Sequence, residues 1–454
     1  MLAETIRGLM GSARDDLAAL VAFRSVADPQ QFPAEECIAA GQYVIDRFKA
    51  LGFDDARFEQ TSDGHPAVFG TAAGPLGAPT VLLYCHYDVQ PPLGDDDWES
   101  PVFELTERDG RWYGRGAADC KGNIALHLTA LRALRGTGDG AYPVNLKLIS
   151  EGAEEQGTDG MERLVRDNPE LLRADAVIVA DTGNVAAGVP TLTTALRGTV
   201  TVDVTVRTLA TPMHSGMFGG PAPDALVALV KILATLHDEH GNTTVEGLDA
   251  TQRWSGVDYP PERFRADANV LDGVELVGDG APADMLWARP ALTVLGIDCP
   301  PVVGSSNAVP AAVRARLSLR VPPGTDPVTA RDLLVAHVER VAPWGVQLTV
   351  EPGEAAPPFA GLTGGPAYDA IAEAMHEAYG RELTTAGAGG SIPLCSALAE
   401  TFPDAEILLL GVEEPTCLIH APNESVDPRE IERLAHAEAR FLQRYAETFS
   451  ASGG

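Results

Sequence analysis

The chain is 454 residues long, more than one hydrophobic core usually fills, so two domains are expected. A formal charge of -31 argues against nucleic acid as a partner, because phosphates recruit Lys and Arg to displace counterions. A hydrophobic content of 45% and a mean hydropathy of -0.01 describe a soluble globular chain, and no apolar run approaches the length of a membrane span. The N-terminal stretch, residues 1–28, carries acidic residues and lacks an uninterrupted apolar core, so it does not read as a signal peptide. Six cysteines (37, 85, 120, 299, 395 and 417) sit at no zinc or redox spacing, and the expectation is reduced thiols in a cytoplasmic protein.

Residues 4–25 and 36–51 have helical periodicity, the second ending at Gly52 as at a C-terminal cap. Residues 80–85 form an apolar run bounded by turn residues, the pattern of a buried strand, with His86 and Asp88 directly off its end. At that spacing Asp88 can bond the ring nitrogen that His86 leaves free when the other binds a metal. A glycine-rich passage carrying Asp119 leads into a helix over 124–134. Residues 144–149 predict a strand followed by Glu154 and Glu155, residues 164–172 a helix, and residues 176–180 a strand running into Asp181. Strands alternating with helices predict an α/β domain with a mostly parallel sheet flanked by helices.

From Arg197 the texture changes. Val200, Val202, Val204 and Val206 alternate with polar residues, the signature of a sheet with one wet face. A helix over 222–239, an irregular segment over 241–290, strands over 292–297 and 313–321, a helix over 326–341 and a strand over 346–350 complete a split βαβ pattern. Helices over 368–379 and 427–449 enclose a strand over 407–410, with His420 in the loop beyond it. The expected division is a catalytic domain, 1–196 plus 358–454, interrupted by an inserted α+β ferredoxin-like lid and dimerisation domain at 197–357.

Open parallel sheets bind ligands outside the carboxyl ends of their strands. There the pattern collects His86, Asp119, Glu154, Glu155, Asp181 and His420. Each alone has a bland reading, as a helix cap, a solvated acid or a loop histidine; the recurrence at successive strand ends points to chemistry. Two imidazoles among several carboxylates suit zinc, or manganese or cobalt where oxygen dominates. In an adjacent glutamate pair one member can bind metal while the other takes a proton from water, which suits hydrolysis of a polar bond.

A set of motifs running nearly end to end then carries a resemblance: Tyr84-Cys-His-Tyr-Asp-Val-Gln-Pro91, Tyr113-Gly-Arg-Gly-Ala-Ala-Asp-Cys-Lys-Gly122, Glu151-Gly-Ala-Glu-Glu155, Val179-Ala-Asp-Thr182, Met213-His-Ser-Gly-Met-Phe-Gly-Gly220, Gly389-Gly-Ser-Ile-Pro393 and His420-Ala-Pro-Asn-Glu424. In this order they resemble the M20 metallopeptidases, within them the dipeptidase branch that includes carnosinase-type and bacterial cytosolic dipeptidases. The resemblance implies two divalent metal ions, one held by His86, Asp119 and Asp181, the other by Asp119, Glu155 and His420. It implies Glu154 as general base for a metal-bridging hydroxide, Asp88 as the partner of His86, and a cis Asp119–Cys120 bond. It also implies that His214 reaches the developing oxyanion, often in the neighbouring subunit of a homodimer. Asn307 and Arg320 resemble the positions that grip the substrate's carboxylate, and Gly389, Gly390 and Ser391 would offer backbone donors. Two places depart from the pattern: Cys120 follows Asp119 where relatives often have a second acid, and Thr385-Ala-Gly-Ala388 stands where carnosinase-like members usually have Arg-Glu.

The implied activity is hydrolysis of dipeptides or short peptides. An N-acyl amino acid deacylase is the alternative with the same site, and a metal-binding interaction protein that has lost catalysis is the alternative of another class. Nucleotide binding is disfavoured, because no Gly-x-Gly-x-x-Gly follows an early strand.

Overall fold

The computed structural model describes residues 1–137 and 140–452. They fall into two compact units: Met1–Thr194 with Gly361–Ala386 and Leu394–Gly454, and Ala195–Ala360 with Gly387–Pro393.

The first unit is built on a mixed sheet. Its centre is four parallel strands in the spatial order Asn145–Glu151, Thr80–His86, Ala176–Ala180 and Glu406–Leu410. Their carboxyl ends therefore share one edge. These strands read as unbroken apolar runs because both faces are covered: Val81, Leu82, Leu83 and Tyr84 are all 0% exposed. Val81, Leu83 and Cys85 join a core built with the helices Leu2–Ala22, Ala34–Lys49, Lys121–Arg135 and Pro428–Ser452. The sheet is not parallel throughout. Ala67–Ala72 pairs antiparallel with Asn145–Glu151 on one side and with Arg57–Glu59 on the other, while Thr191–Leu196 lies antiparallel beyond Glu406–Leu410. A turn in which the Asp63 carboxylate accepts from the His65 N–H joins Arg57–Glu59 to Ala67–Ala72, and strands so joined can only run antiparallel.

Two helices differ from expectation. The one expected over 164–172 is two, Gly160–Asp167 and Pro169–Leu172. Pro169 has no N–H and forces Asn168 out of helical geometry, to φ -130 and ψ 57. The one expected over 222–239 is only Ala225–Leu233. It starts late because the Asp224 carboxylate caps it, accepting from the N–H groups of Leu226 and Val227 at 2.8 and 3.1 Å. Beyond Leu233, Asp238 closes a turn by accepting from His240 and Asn242, so the chain reverses instead of coiling on. The glycine-rich passage before Asp119 also holds a small sheet unseen in the sequence pattern, Thr106–Arg108, Arg111–Tyr113 and Ser425–Val426.

The second unit is a four-stranded antiparallel sheet in the order Ala291–Asp298, Ala312–Val321, Gly198–Arg207 and Gln347–Ala356, the ferredoxin-like arrangement. Val200, Val202, Val204 and Val206 are 0% exposed under the helices Ala225–Leu233 and Pro327–Val341. The polar face is laced by Arg314 and Arg316, both bonded to Asp203. The irregular segment packs through its aromatic rings, with Tyr259 stacked on Trp287 and Trp254 edge-on to it.

Candidate metal centre and substrate-binding groups

Five of the residues expected as ligands meet at the shared edge of the parallel strands. His86 ends its strand, fully buried. Its Nε2 lies 2.9 Å from Asp119 Oδ1 and 3.2 Å from Asp181 Oδ1. The other oxygen of Asp119, Oδ2, lies 3.0 Å from His420 Nε2, and Glu155 Oε2 lies 3.1 Å from that same nitrogen. Asp119 thus presents one oxygen to each imidazole. The Asp119–Cys120 bond is cis.

The supports are as specific. His86 Nδ1 lies 3.1 Å from the Asp88 carbonyl oxygen and 3.3 Å from its Oδ1, which leaves Nε2 for the cluster. The same Asp88 carboxylate accepts the backbone N–H groups of Glu154 and Glu155, at 3.2 and 3.1 Å, so one side chain aligns both the imidazole and the glutamate pair. The path into that pair passes Gly152, where an added Cβ would sit 2.4 Å from Tyr87 Oη. Sequence reasoning assigned no role to Glu424, the last residue of a motif it had singled out. Its buried carboxylate accepts from the N–H groups of Gly116, Ala118 and Asp119 at 3.0, 3.0 and 3.1 Å, and from Arg115 Nη1 at 2.8 Å. It thereby fixes the backbone that presents Asp119. Gln90 likewise donates to Glu155 Oε2 at 2.8 Å.

Burial opposes charge throughout the cluster. It pushes Asp181 up to about 6 and, together with Asp181, drives Glu154 well above the usual carboxylate range. Burial would raise Asp119 too, but contacts with His420 and His86 overcome it and hold it below that range. His420 is pushed up to about 10 by Asp119 and Glu155. Uncompensated carboxylates thus draw protons onto the imidazoles, as they would draw cations.

The donor set fits divalent metal. Imidazole nitrogens and carboxylate oxygens suit zinc, manganese or cobalt. His86, Asp119 and Glu155 bring ligand atoms within 4.8 Å of one another, as do His86, Cys120 and Asp181. Glu155 Oε1 is buried with no hydrogen-bond partner among the described residues, a lone pair left for a cation. The Cys120 thiol is the weaker donor, since burial raises it well above its ordinary value and it already donates to the Ala180 carbonyl at 3.0 Å. Replacing Asp88 by Asn is expected to weaken metal binding by about 10–100-fold while the fold persists. Titration against a competing chelator measures this, and unchanged affinity would mean that Asp88 does not tune His86.

The remaining nominated residues lie in the second unit. His214 is exposed, its strand Met213–His214 paired with Ala308 and Val309, and the Ser215 N–H donates to the Asn307 carbonyl at 2.8 Å. His214 and Asn307 are therefore neighbours. Arg320 differs from Arg314 and Arg316, which bond Asp203: it donates to the Thr199 hydroxyl, which lies 3.4 Å from Ser391 Oγ. Gly389 accepts from Arg197 Nε at 3.3 Å.

A parallel-centred α/β unit that gathers His, Asp and Glu at its strand ends, with a ferredoxin-like second unit, is the arrangement of a metal-dependent hydrolase. Residues 82–444 match the model of peptidase family M20/M25/M40, and the chain belongs to that family. It is 46% identical to a cysteinylglycine-S-conjugate dipeptidase of Corynebacterium striatum over 89% of this chain and 90% of that protein. It is 31% identical to a Cys-Gly metallodipeptidase of Schizosaccharomyces pombe over 67% of this chain and 68% of that one. The fold is similar to that of human carnosine dipeptidase 1, with a TM-score of 0.81 at 24% identity over 98% of each chain. Among the described residues no helix is long and apolar enough to cross a membrane.

Proposed function

We propose that the protein is a cytoplasmic, homodimeric dipeptidase that binds two divalent metal ions, zinc foremost, and cleaves dipeptides of the cysteinylglycine type. The observation that carries this reading is Asp119 facing His86 with one oxygen and His420 with the other, beside the unpartnered Glu155 Oε1. Relatives named for Cys-Gly dipeptides support the substrate class, and the deacylase alternative finds no such support. His86, Asp119 and Asp181 would hold one ion, with Asp119, Glu155 and His420 holding the other. When bound, such ions supply Lewis acidity that polarises a carbonyl and makes water reactive near neutral pH.

The chain's own groups do the rest. Glu154, its proton affinity raised by burial and by Asp181, takes the proton of the attacking water and returns it to the leaving amine. His214 accepts the Gly216 N–H at Nδ1 over 3.1 Å, so a neutral ring carries its proton on Nε2, ready to donate to a developing oxyanion. Arg320 and Asn307 bind the free carboxylate, with Gly389, Gly390 and Ser391 beside it. The division into a catalytic domain, 1–196 plus 358–454, and a lid and dimerisation domain, 197–357, belongs to the same proposal.

A panel of dipeptides and N-acyl amino acids tests the activity. Turnover of Cys-Gly-type dipeptides is expected; cleavage of N-acyl amino acids with no turnover of any dipeptide would reassign the protein as a deacylase. Whether His214 serves its own subunit or the neighbour is decided by mixing two inactive variants, His214→Ala and Glu154→Gln. Partial recovery of activity in hybrid dimers is expected, and none despite proven subunit exchange would rule out action across subunits.

A further inference from the structure

Arg197 is a buried cation with no acidic partner among the described residues. It is 7% exposed, at the junction of the strands Thr191–Leu196 and Gly198–Arg207. Its backbone N–H donates to the Ala388 carbonyl and its Nε to the Gly389 carbonyl, both at 3.3 Å. Nη1 is buried with no hydrogen-bond partner among the described residues. The charged group that it feels is another cation, Arg320, and burial together with that neighbour pulls its guanidinium down to about 10. Arg320 itself rests on the Thr199 hydroxyl, with the exposed Glu354 the acid that bears on it.

A fold does not gain by enclosing two guanidiniums of like charge with a donor left over. Such a pair becomes favourable when an anion arrives to accept from both. The Thr199 and Ser391 hydroxyls, 3.4 Å apart, add donors at the same place. Gly389 keeps the loop close, since an added Cβ would lie 2.9 Å from Arg197 Nη2 and 3.2 Å from Leu286 Cδ1.

We propose that Arg197 and Arg320, with the hydroxyls of Thr199 and Ser391, form one anion subsite that takes the substrate's C-terminal carboxylate, with Arg197 as the second guanidinium contact. Arg320, Asn307 and residues 389–391 already belong to the proposed carboxylate site; Arg197 and the Thr199 hydroxyl are the additions. The assignment rests on the proposed peptidase reading for the identity of the anion, and a planar carboxylate matches a guanidinium fork.

The test compares a dipeptide bearing a free C-terminus with the same dipeptide capped as its amide. In Arg197→Met, kcat/KM for the free acid is expected to fall about 10–100-fold, chiefly through KM, the range for a charge-assisted hydrogen bond. The amide should change little, so the preference for the free acid shrinks by the same factor, with bound metal unchanged. Equal losses on both substrates would overturn the subsite and leave Arg197 a structural residue. Should Arg197→Met not fold, Gly389→Ala reads the same point by displacing the guanidinium, and an unaltered free-acid preference there overturns the proposal. If the wild type cleaves no dipeptide, the peptidase reading fails separately. N-acyl amino acids and their amides then judge the subsite, which stands if the free-acid preference falls in Arg197→Met and is overturned if it does not.

Discussion

Glu154→Gln is expected to leave the protein folded and loaded with metal while lowering turnover by roughly 10²–10⁴-fold, the scale of general-base loss. The substitution keeps the size of the side chain and removes its capacity to hold a proton. The backbone of Glu154 is held by the Asp88 carboxylate through its N–H, a contact that Gln retains. The adjacent Glu155, with its partners His420 and Gln90, is untouched. Steady-state kinetics with metal analysis of the same sample separate the two effects. Near-normal turnover would show that another group takes the proton, and loss of metal would make Glu154 a ligand.

Asp119→Asn is expected to cost still more. One oxygen of Asp119 faces His86 and the other faces His420, so a neutral amide removes a charge from both halves of the cluster and offers a single acceptor. Partners outside the ligand sphere cost about 10–100-fold in metal affinity, and loss of a carboxylate proposed to serve both ions should exceed that. Metal content after dialysis is expected to fall by one equivalent or more, with activity lost alongside. The contact from the Asp119 N–H to Glu424 at 3.1 Å is made by backbone and persists, so the fold should be retained. Two full equivalents of metal with wild-type turnover would disprove the bridging role.

The two substitutions probe different levels of legibility in the chain. Glu154 stands just past a strand of the central sheet and Asp119 in a glycine-rich passage entering a helix, and both patterns are recognisable one segment at a time. The supports of Asp119 were not visible in this way. Glu424 lies 305 residues beyond Asp119 in the sequence, and nothing local says that its carboxylate turns inward to collect three amides. Arg197 was passed over for a similar reason. It reads as the polar start of an alternating strand, and only the packed loop at Gly389 reveals that its guanidinium is enclosed.

By itself the sequence determined the kinds of element and most of their places, the switch from doubly buried strands to alternating ones near Arg197, and the set of acids and imidazoles available. These are properties of neighbouring residues: side-chain periodicity, caps and breakers act over a few positions. Tertiary structure alone decided that the sheet is mixed and that His86 and His420 meet opposite oxygens of one aspartate across separations of 33 and 301 residues. Such meetings depend on where every intervening strand and helix settles in the shared core, and no local pattern encodes that sum.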